Sequence, residues 1–567
     1  FTVNSNKCKL PNYPVFSEEV NLTYYPQSYT SCTGMGLLTY TTVENNVAYL
    51  HVREENVAYY SSGDTDGPTI SCCYSYITRH GSEEDPDVGI RISSCQEFNG
   101  TERIYGETVM VKCFRRELLV YENVHNPITI STPVKQKLNR SSENNKELPI
   151  SVLFIVIDSV SRLNFARTMP KTRNFLLRND FMEYLGYNKI DDNTFPNFNA
   201  LLTGLNLAQS LSICQPNIVG KLDECPMIWY DFRRLGYNPP TDYYFKPYIE
   251  AAETLNVTFK DTMPYCAGPE TEDQPYFGMF WMNTFSHNYI NSPSGMDEKV
   301  EQFFEDIHHG GILNSSVVIL LSDHGIRFGN IRFTNQGWYE ERLPVNFISI
   351  PPWFRSKYPS KYDNVKRNAN KLVSTYDLYM TLQDMLKMSV RNYTVKPSRA
   401  CPSCMSLFSE IPEDRSCQEA GIPEEWCTCL GRFNKNDQRI TIDRNIEAAN
   451  LALATIRKYA AYSIFVQNIL SSSVAMASLN EGYYLIIFET TDFATYQALF
   501  RIKVEPLEFV KLVKIIRLWQ QNQSKLFVQT NDERFDVFNR EIVNMLIKVG
   551  SAMDNFNWRN NFWKITL

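Results

Sequence analysis

The sequence lacks clusters of basic residues, internal repeats and low-complexity tracts. Its 56 Lys and Arg residues are outnumbered by 63 Asp and Glu residues, so the formal net charge is −7. Binding to nucleic acid or to an anionic membrane surface calls for clustered positive charge, so neither partner is predicted. The charged fraction of 21% and the aromatic fraction of 13% are typical of a folded globular chain and not of a disordered one.

The sequence also lacks a good membrane span. Residues 459–479 include no charged residue, but Gln467, Asn468 and five serines make the stretch too polar to cross a bilayer. We therefore predict no membrane span within this chain and interpret the stretch as a helix that passes into a buried loop or strand. The chain begins at Phe1 without a methionine, and we expect that a signal peptide or an anchor has been removed or left out.

Cysteine, by contrast, is plentiful, with fourteen residues between Cys8 and Cys429. Such usage indicates zinc in a reducing compartment and disulfides in an oxidising one. Because histidines do not accompany the cysteine groups and sequons are frequent, we predict mostly paired cysteines, with local bridges over 401–429. We also predict a glycoprotein of the secretory pathway, extracellular or lumenal. The seven sequons are at Asn21, Asn99, Asn139, Asn256, Asn314, Asn392 and Asn522.

Length predicts two or three domains, since 567 residues exceed what one hydrophobic core usually supports, and the pattern along the chain divides it into three. Short β-branched and aromatic runs between turn residues predict an N-terminal disulfide-stapled β-rich domain over 1–148, with 133–147 as a linker. Alternating strands and helices over 149–430 predict an α/β domain with a mostly parallel sheet sandwiched by helices. Residues 431–567 predict a C-terminal α+β domain.

Several elements are predicted individually. In the central domain we expect strands at 152–157 and 276–281, another from Val317 onward and a fourth at 345–350. Helices are expected there at 172–177, 197–202, 297–307 and 374–388. The C-terminal domain is expected to contain a helix at 445–462, a β-hairpin at 481–504 and a helix at 507–519 with a solvated basic face.

Polar side chains follow two of these apolar strands. Asp158 follows the run 152–157, and Asp323 with His324 follows the run that begins at Val317. Apolar runs without alternation are typical of strands buried on both faces of a parallel sheet, whose carboxyl ends face a common ligand-binding crevice. Carboxylate and imidazole side by side suit Zn²⁺ or Mn²⁺ better than Ca²⁺. For Asp158 alone, a solvated strand end or a helix cap is the alternative.

A third polar position is Thr194, in a loop that leads into a short helix. At the first turn of a helix, free backbone N–H groups and the helix dipole stabilise an anion such as a phosphate. The alternative is that Thr194 is only an N-cap, with Pro196 inside the first turn.

Asp158, Thr194, Asp323 and His324, in this order and on these elements, resemble the alkaline phosphatase and sulfatase superfamily. More closely, the chain resembles a large uncharacterised family, a domain of unknown function, of secreted or membrane-tethered animal proteins within that superfamily. The resemblance rests on Ile157-Asp-Ser-Val-Ser-Arg162, Thr168-Met-Pro-Lys171, Asn193-Thr-Phe-Pro-Asn197, Ser322-Asp-His-Gly325, Glu340-Glu-Arg-Leu-Pro344 and the cysteine-rich run from Cys401 to Cys429.

The resemblance implies an alkaline-phosphatase-like core and a metal-dependent phosphotransferase or phosphodiesterase. Thr194 has the nucleophile's place, and Asp158, Thr194, Asp323 and His324 would surround one divalent ion, Zn²⁺ or Mn²⁺. Sulfatases of the superfamily use a cysteine in a Cys-X-Pro-X-Arg motif. Here Thr194-Phe-Pro-Asn-Phe198 lacks both the cysteine and the arginine, so sulfate ester hydrolysis is disfavoured.

The resemblance also bears on a second metal ion. Two-metal phosphodiesterases of the superfamily add an Asp-X-X-X-His pair and a later histidine, whereas here Asn283 precedes His287 and no histidine follows His324. Neither Asn283 nor His287 supplies negative charge, so we predict that the second site is absent and assign both residues to substrate binding. The one-metal phosphoglycol and phosphoethanolamine transferases are a better match. An ordinary loop histidine is the alternative for His287.

Three functions remain open. The protein is an enzyme acting on a glycan, lipid or other secreted phosphoester, or a pseudoenzyme that binds an extracellular protein or glycan as a receptor-type module, or a purely structural glycoprotein. Arg327 is within two residues of Gly325 and could reach a substrate anion, but we expect it on the surface. Asp377 is expected to start a helix.

Overall fold

The computed structural model of the protein describes a large part of the chain, in segments. They are 1–29, 35–61, 70–80, 89–106, 108–127, 129, 150–216, 221–235, 237, 275–390, 392–430, 439–459, 468–478, 482–491 and 494–520. The predicted linker 133–147, the sequons at Asn139, Asn256 and Asn522, and Cys32 and Cys266 lie outside the described residues.

Helices and strands alternate through the middle of the chain. The helices are α1 Glu18–Asn21, α2 Glu54–Ser61, α3 Arg162–Thr168, α4 Pro170–Arg178, α5 Thr194–Thr203, α6 Leu207–Ile213, α7 Ile228–Arg234, α8 Asp297–His309, α9 Ile312–Ser315, α10 Asn335–Arg342, α11 Pro352–Lys357, α12 Pro359–Asn368, α13 Thr375–Ser389 and α14 Ile442–Tyr459. Short 3-10 turns occur at Lys221–Glu224, Ser292–Met296, Asn330–Phe333, Gln418–Ala420 and Glu424–Trp426.

The described strands range in length from two to fourteen residues. They are β1 Val3–Asn4, β2 Lys9–Leu10, β3 Thr39–Glu44, β4 Val47–Val52, β5 Ile70–His80, β6 Gly89–Ile92, β7 Gln96–Phe98, β8 Thr101–Ile104, β9 Val109–Arg115, β10 Leu118–His125, β11 Ser151–Ile157, β12 Met182–Glu183, β13 Gly186–Asn188, β14 Phe277–Met282, β15 Ser316–Leu321, β16 Asn346–Ser349, β17 Leu372–Ser374, β18 Ile469–Ser478, β19 Tyr483–Thr490, β20 Ala494–Val504 and β21 Leu507–Gln520.

The central sheet has the strand order β12-β16-β15-β11-β14. β11 pairs in parallel with both β14 and β15, so these three strands point their carboxyl ends to the same edge. β16 runs antiparallel to both β15 and β12, so the sheet is mixed: β16 is reversed, and the other four described strands share one direction, in agreement with the predicted mostly parallel sheet. All seven residues of β11 are buried, in agreement with its unbroken apolar run.

Helices cover both faces of this sheet. On one face, Phe154 and Val156 pack with Phe198 of α5 and Leu382 of α13. On the other face, alternate residues of β11 pack with α3, α4 and α8. The predicted helices at 172–177, 197–202, 297–307 and 374–388 are thereby confirmed as α4, α5, α8 and α13. Asp377, as predicted, lies in the first turn of α13, where it forms a capping box with Ser374.

The strands before residue 129 form sheets of their own. β3, β4 and β8 make one sheet, and β10, β9, β5 and β6 make another, with β7 paired to β5. A separate apolar core includes Leu50, Phe98 and Val111. The first ten residues do not belong to this core. Val3, Cys8 and Leu10 pack instead with residues of the 149–430 region, such as Trp338 and Tyr376. The predicted domain limits at 148 and 431 stay predictions.

After residue 439, α14 packs on an antiparallel sheet of order β18-β19-β20-β21. The predicted hairpin is confirmed as β19 and β20. The helix predicted at 507–519 is wrong, because those residues form β21. Three irregularities in the β20–β21 register disturb the two-residue alternation of a strand, so the apolar spacing resembles that of a helix. Within 459–479 the structure has strand β18, and of the described helices none is long and apolar enough to cross a membrane.

Twelve of the fourteen cysteines form six disulfides, as predicted for most of them. The bridges Cys401–Cys404 and Cys417–Cys427 are local, whereas Cys429 reaches back to Cys8. The sulfurs of Cys417, Cys427 and Cys429 lie close enough to suggest a metal site, but all three are oxidised to disulfides. This chemistry is consistent with an extracellular or lumenal protein.

Candidate functional site

The predicted metal ligands converge at the carboxyl edge of the central sheet. Val156 of β11 is in register with Leu321 of β15, so the residues two positions further, Asp158 and Asp323, end up side by side. A ligand atom from each of Asp158, Asp323 and His324 lies within 4.8 Å of the other two. All three side chains are buried, with Asp158 4% exposed and His324 fully buried. The strand-end pattern therefore located a real cluster of donor groups.

Thr194 contacts this cluster through its hydroxyl group. It is the first residue of α5, and its Oγ1 donates a hydrogen bond of 2.5 Å to Oδ2 of Asp323. The N-cap residue is Asn193, so the alternative that Thr194 is only an N-cap is wrong. Asn193 makes no capping hydrogen bond through its side chain. The helix ends at Gly204, whose φ of 69° is left-handed, and its apolar residues pack on the sheet.

Backbone groups fix the orientation of Asp323. Its Oδ1 accepts hydrogen bonds from the backbone N–H of Ser159 at 3.1 Å and of His324 at 2.9 Å. This arrangement leaves Oδ2 for Thr194. Oδ2 also lies 3.1 Å from Nε2 of His324. Hydrogen bonds to Oδ1 thus fix the carboxylate, while Oδ2 faces Thr194 and His324.

His324 has one nitrogen engaged and one free. Nδ1 donates to the backbone carbonyl of Gly325 at 2.9 Å, which leaves the lone pair on Nε2. Nε2 is buried, and among the described residues it has no hydrogen-bond partner. Gly325 permits this loop to approach α10, since a Cβ on it would lie 2.0 Å from the carbonyl oxygen of Glu340. A buried imidazole with a free Nε2 and a backbone-bound Nδ1 is typical of a metal ligand.

The electrostatics of the cluster favour a cation. Burial, and then the nearby Asp323, raise the pKa of Asp158 well above its usual value. Burial also opposes ionisation of Asp323, but His324 and the hydrogen bond from Thr194 outweigh it and lower its pKa. Burial lowers the pKa of His324 to about 4, so the ring is neutral at pH 7. Two buried carboxylates, a neutral imidazole and a hydroxyl form a donor set that fits one Zn²⁺ or Mn²⁺ ion.

The two residues assigned to substrate binding lie beside this cluster but outside it. β14 ends next to Asp158, whose N–H donates to the carbonyl of Met282 at 2.9 Å. Asn283 follows and is exposed. The ring of His287 lies 5.9 Å from that of Phe328, in the loop after His324, and its Nδ1 is 2.7 Å from Oδ1 of Asn288. Their role in substrate binding stays a prediction.

Sequence reasoning missed several residues of the site. Ser159 has a left-handed φ of 61°, rare outside glycine, and its hydroxyl donates to Asp158 at 3.0 Å. Ser322 accepts from the N–H of Val160 and donates to the carbonyl of His324, both at 2.9 Å. The indole of Trp281 also hydrogen bonds to Asp158. For the two serines, their position next to a ligand within the motifs was the only available signal.

The prediction that Arg327 lies on the surface is wrong. Its side chain is only 7% exposed and pairs with Asp192, two residues before Thr194, at 3.7 Å. No feature of the local sequence indicated this burial, which arises from the packing of the loop after His324.

Comparisons with solved structures give distant similarities. The lipoteichoic acid synthase LtaP from Listeria monocytogenes is 9% identical, with 46% of this chain and 79% of that one covered and a TM-score of 0.28. The putative sulfatase yidJ from Bacteroides fragilis is 11% identical, with 75% and 99% covered and a TM-score of 0.30. An alkaline phosphatase superfamily protein from Vibrio parahaemolyticus is 9% identical, with 66% and 90% covered and a TM-score of 0.31.

Sequence comparison gives a clearer result. No curated protein matches the chain significantly. The profile of a family described as "Protein of unknown function (DUF229)" matches residues 25–239 and 238–463, which is more than half of the chain. The predicted membership of an uncharacterised family is thereby confirmed, and this chain belongs to the DUF229 family.

Proposed function

We propose that this protein is a one-metal phosphotransferase or phosphodiesterase of the secretory pathway, with Thr194 as its nucleophile. The observation that carries the proposal is the 2.5 Å hydrogen bond from Thr194 to Asp323, within a cluster that includes Asp158 and the free Nε2 of His324. A hydroxyl at the start of a helix, beside buried metal-ligand types, is the arrangement that nucleophilic phosphoryl transfer needs.

Asp158, Asp323 and His324 would hold the ion, with Thr194 as the nearest hydroxyl. When bound, a divalent ion lowers the pKa of a neighbouring hydroxyl and offsets the charge of the two carboxylates. The backbone N–H groups that bind Oδ1 of Asp323 keep Oδ2 directed at Thr194. Ser159 and Trp281 hold Asp158 in the same way.

The reaction takes place in two steps. Oγ1 of Thr194 attacks phosphorus, its proton passes to water, and the P–O bond to the leaving group breaks. The leaving alkoxide takes up a proton from water. An acceptor alcohol or water then attacks phosphorus in the threonine ester, which keeps the second substituent of a diester substrate. The P–O bond to Thr194 breaks, and the proton that the acceptor loses returns to Oγ1 of Thr194, so that atoms and charge balance.

Transfer to an alcohol is the favoured second step. Asn283 and His287 bring no negative charge for a second cation, so the leaving group is less stabilised than in two-metal enzymes. A phosphoethanolamine or phosphoglycol donor and a glycan or lipid acceptor fit this chemistry. Sulfate esters are disfavoured, because the cysteine and arginine of the sulfatase motif are absent. The four described sequon asparagines are all exposed, as glycosylation requires: Asn21, Asn99, Asn314 and Asn392.

The test is turnover of an aryl phosphodiester and of a phosphoethanolamine donor by metal-loaded protein. Thr194→Ala should reduce turnover by roughly three orders of magnitude or more, as expected for a lost nucleophile. Thr194→Ser keeps a hydroxyl and should retain part of the activity, and an aryl sulfate should be inert in every case. Full activity in Thr194→Ala contradicts the mechanism. If wild type turns over neither phosphoester, an extracellular binding module without catalysis is favoured.

A further inference from the structure

Arg327 carries a positive charge on a nearly buried side chain, and one of its N–H donors has no acceptor among the described residues. Its side chain is 7% exposed, and its Nε is buried with no acceptor in the part of the chain that the structure describes. Its ion pair with Asp192 spans 3.7 Å, which is too long for a hydrogen bond. A buried charged donor without an acceptor costs free energy unless a ligand supplies the acceptor.

The surroundings of Arg327 connect it with the candidate site. Arg327 lies three residues after His324, and its partner Asp192 lies two residues before Thr194 on the loop that leads into α5. The positive charge of Arg327 also acts on Asp158 and on His324. Its guanidinium therefore lies near the loop that carries Thr194 and within electrostatic reach of the donor cluster.

We propose that Arg327 binds a non-bridging oxygen of the substrate's phosphoryl group. The proposal rests on the proposed function. Two-metal enzymes use a second ion to offset the negative charge of the transferred group, and here the guanidinium supplies that positive charge instead. A planar fork of donors matches two oxygens of a phosphoryl group. The uncapped N-terminus of α5, ten residues long, faces the same anion through its first N–H groups.

In this assignment, different residues bind the metal ion and the phosphoryl oxygens. The carboxylates and His324 would hold a divalent ion beside Thr194, while Arg327 binds the oxygens that do not react. The ion pair with Asp192 keeps the guanidinium in place before substrate arrives. Since the pair is long, the guanidinium keeps donors available for the ligand.

The test is binding of inorganic phosphate to the metal-loaded full chain, followed by calorimetry, with Arg327→Met and Arg327→Gln as variants. One charged hydrogen bond corresponds to roughly a 10- to 100-fold change in affinity, so both variants should bind phosphate at least about tenfold more weakly. Their metal content should stay near one equivalent. Arg367→Met, which changes an exposed arginine, should bind phosphate as wild type does.

Unchanged phosphate affinity in the folded Arg327 variants overturns the inference. Loss of metal in these variants also overturns it, because Arg327 would then support the ligands and not the anion. The inference is also overturned if metal-loaded wild type binds no detectable phosphate. If Arg327→Met does not fold, the Gln variant, which keeps a polar group, decides. Failure of the proposed function is distinct, since it is recognised by wild type that binds no metal or by turnover independent of Thr194.

Discussion

Two buried histidines of this protein, His125 and His324, both have lowered pKa values but differ in their surroundings. Burial lowers the pKa of both His125 and His324 to about 4. Nε2 of His125 lies 2.6 Å from the hydroxyl of Thr39, and burial alone perturbs its pKa. Nε2 of His324 has no hydrogen-bond partner in the part of the chain that the structure describes, and it lies 3.1 Å from Oδ2 of Asp323. Burial by itself therefore does not identify a functional histidine; a free lone pair next to buried carboxylates does.

The largest expected effect comes from mutating each of the two histidines in turn and comparing the metal content of the variants. His324→Ala should reduce bound Zn²⁺ or Mn²⁺ from about one equivalent to almost none, because a tight site needs all its ligands, and phosphodiester turnover should fall by orders of magnitude. Elemental analysis of protein purified without chelator measures this loss. His125→Gln is the matched control and should keep its metal. Equal metal content in His324→Ala and wild type would break the comparison.

A smaller effect concerns acid stability and His125. Its pKa is about 4 in the folded state and 6.5 ordinarily, so the unfolded chain takes up the proton first as the pH falls. The contribution of His125 to the free energy of unfolding is at its maximum above about pH 6.5. It decreases as the pH falls toward 4 and is constant below that, with a total loss on the order of 3 kcal/mol. Urea unfolding of wild type and His125→Gln at pH 7 and pH 4.5 measures it.

In that experiment the difference in the free energy of unfolding between the two proteins should narrow or reverse at pH 4.5. Carboxylates that titrate in acid are common to both proteins, so they cancel in the difference. A difference that is independent of pH would mean that His125 is protonated equally well in the folded and unfolded chains.

The donor cluster could be predicted from the sequence because it depends on local rules. An unbroken apolar run predicts a buried strand, and parallel strands such as β11 and β15 place their following residues together. The proximity of Asp158 and Asp323 could therefore be predicted without the tertiary structure. Thr194 followed from the same logic, applied to the start of a helix.

Features that depend on distant contacts could not be predicted. The burial of Arg327 requires the loop after His324 to pack beside Asp192. The left-handed φ of Ser159 leaves no trace in residue type. The Cys8–Cys429 bridge spans 421 residues, and no spacing rule fixes such a connectivity. In β21, irregular pairing disturbs the alternation on which strand prediction relies.

The central claim is that Thr194 carries the phosphoryl group during turnover. The most direct measurement is peptide mass spectrometry of metal-loaded protein that is quenched with acid while it consumes an aryl phosphodiester. The account predicts Thr194 esterified by the phosphoryl group of the substrate with its remaining ester substituent, an adduct absent from Thr194→Ala and from protein without substrate. Steady turnover with Thr194 unmodified, or a phosphoryl group on another residue, would contradict it.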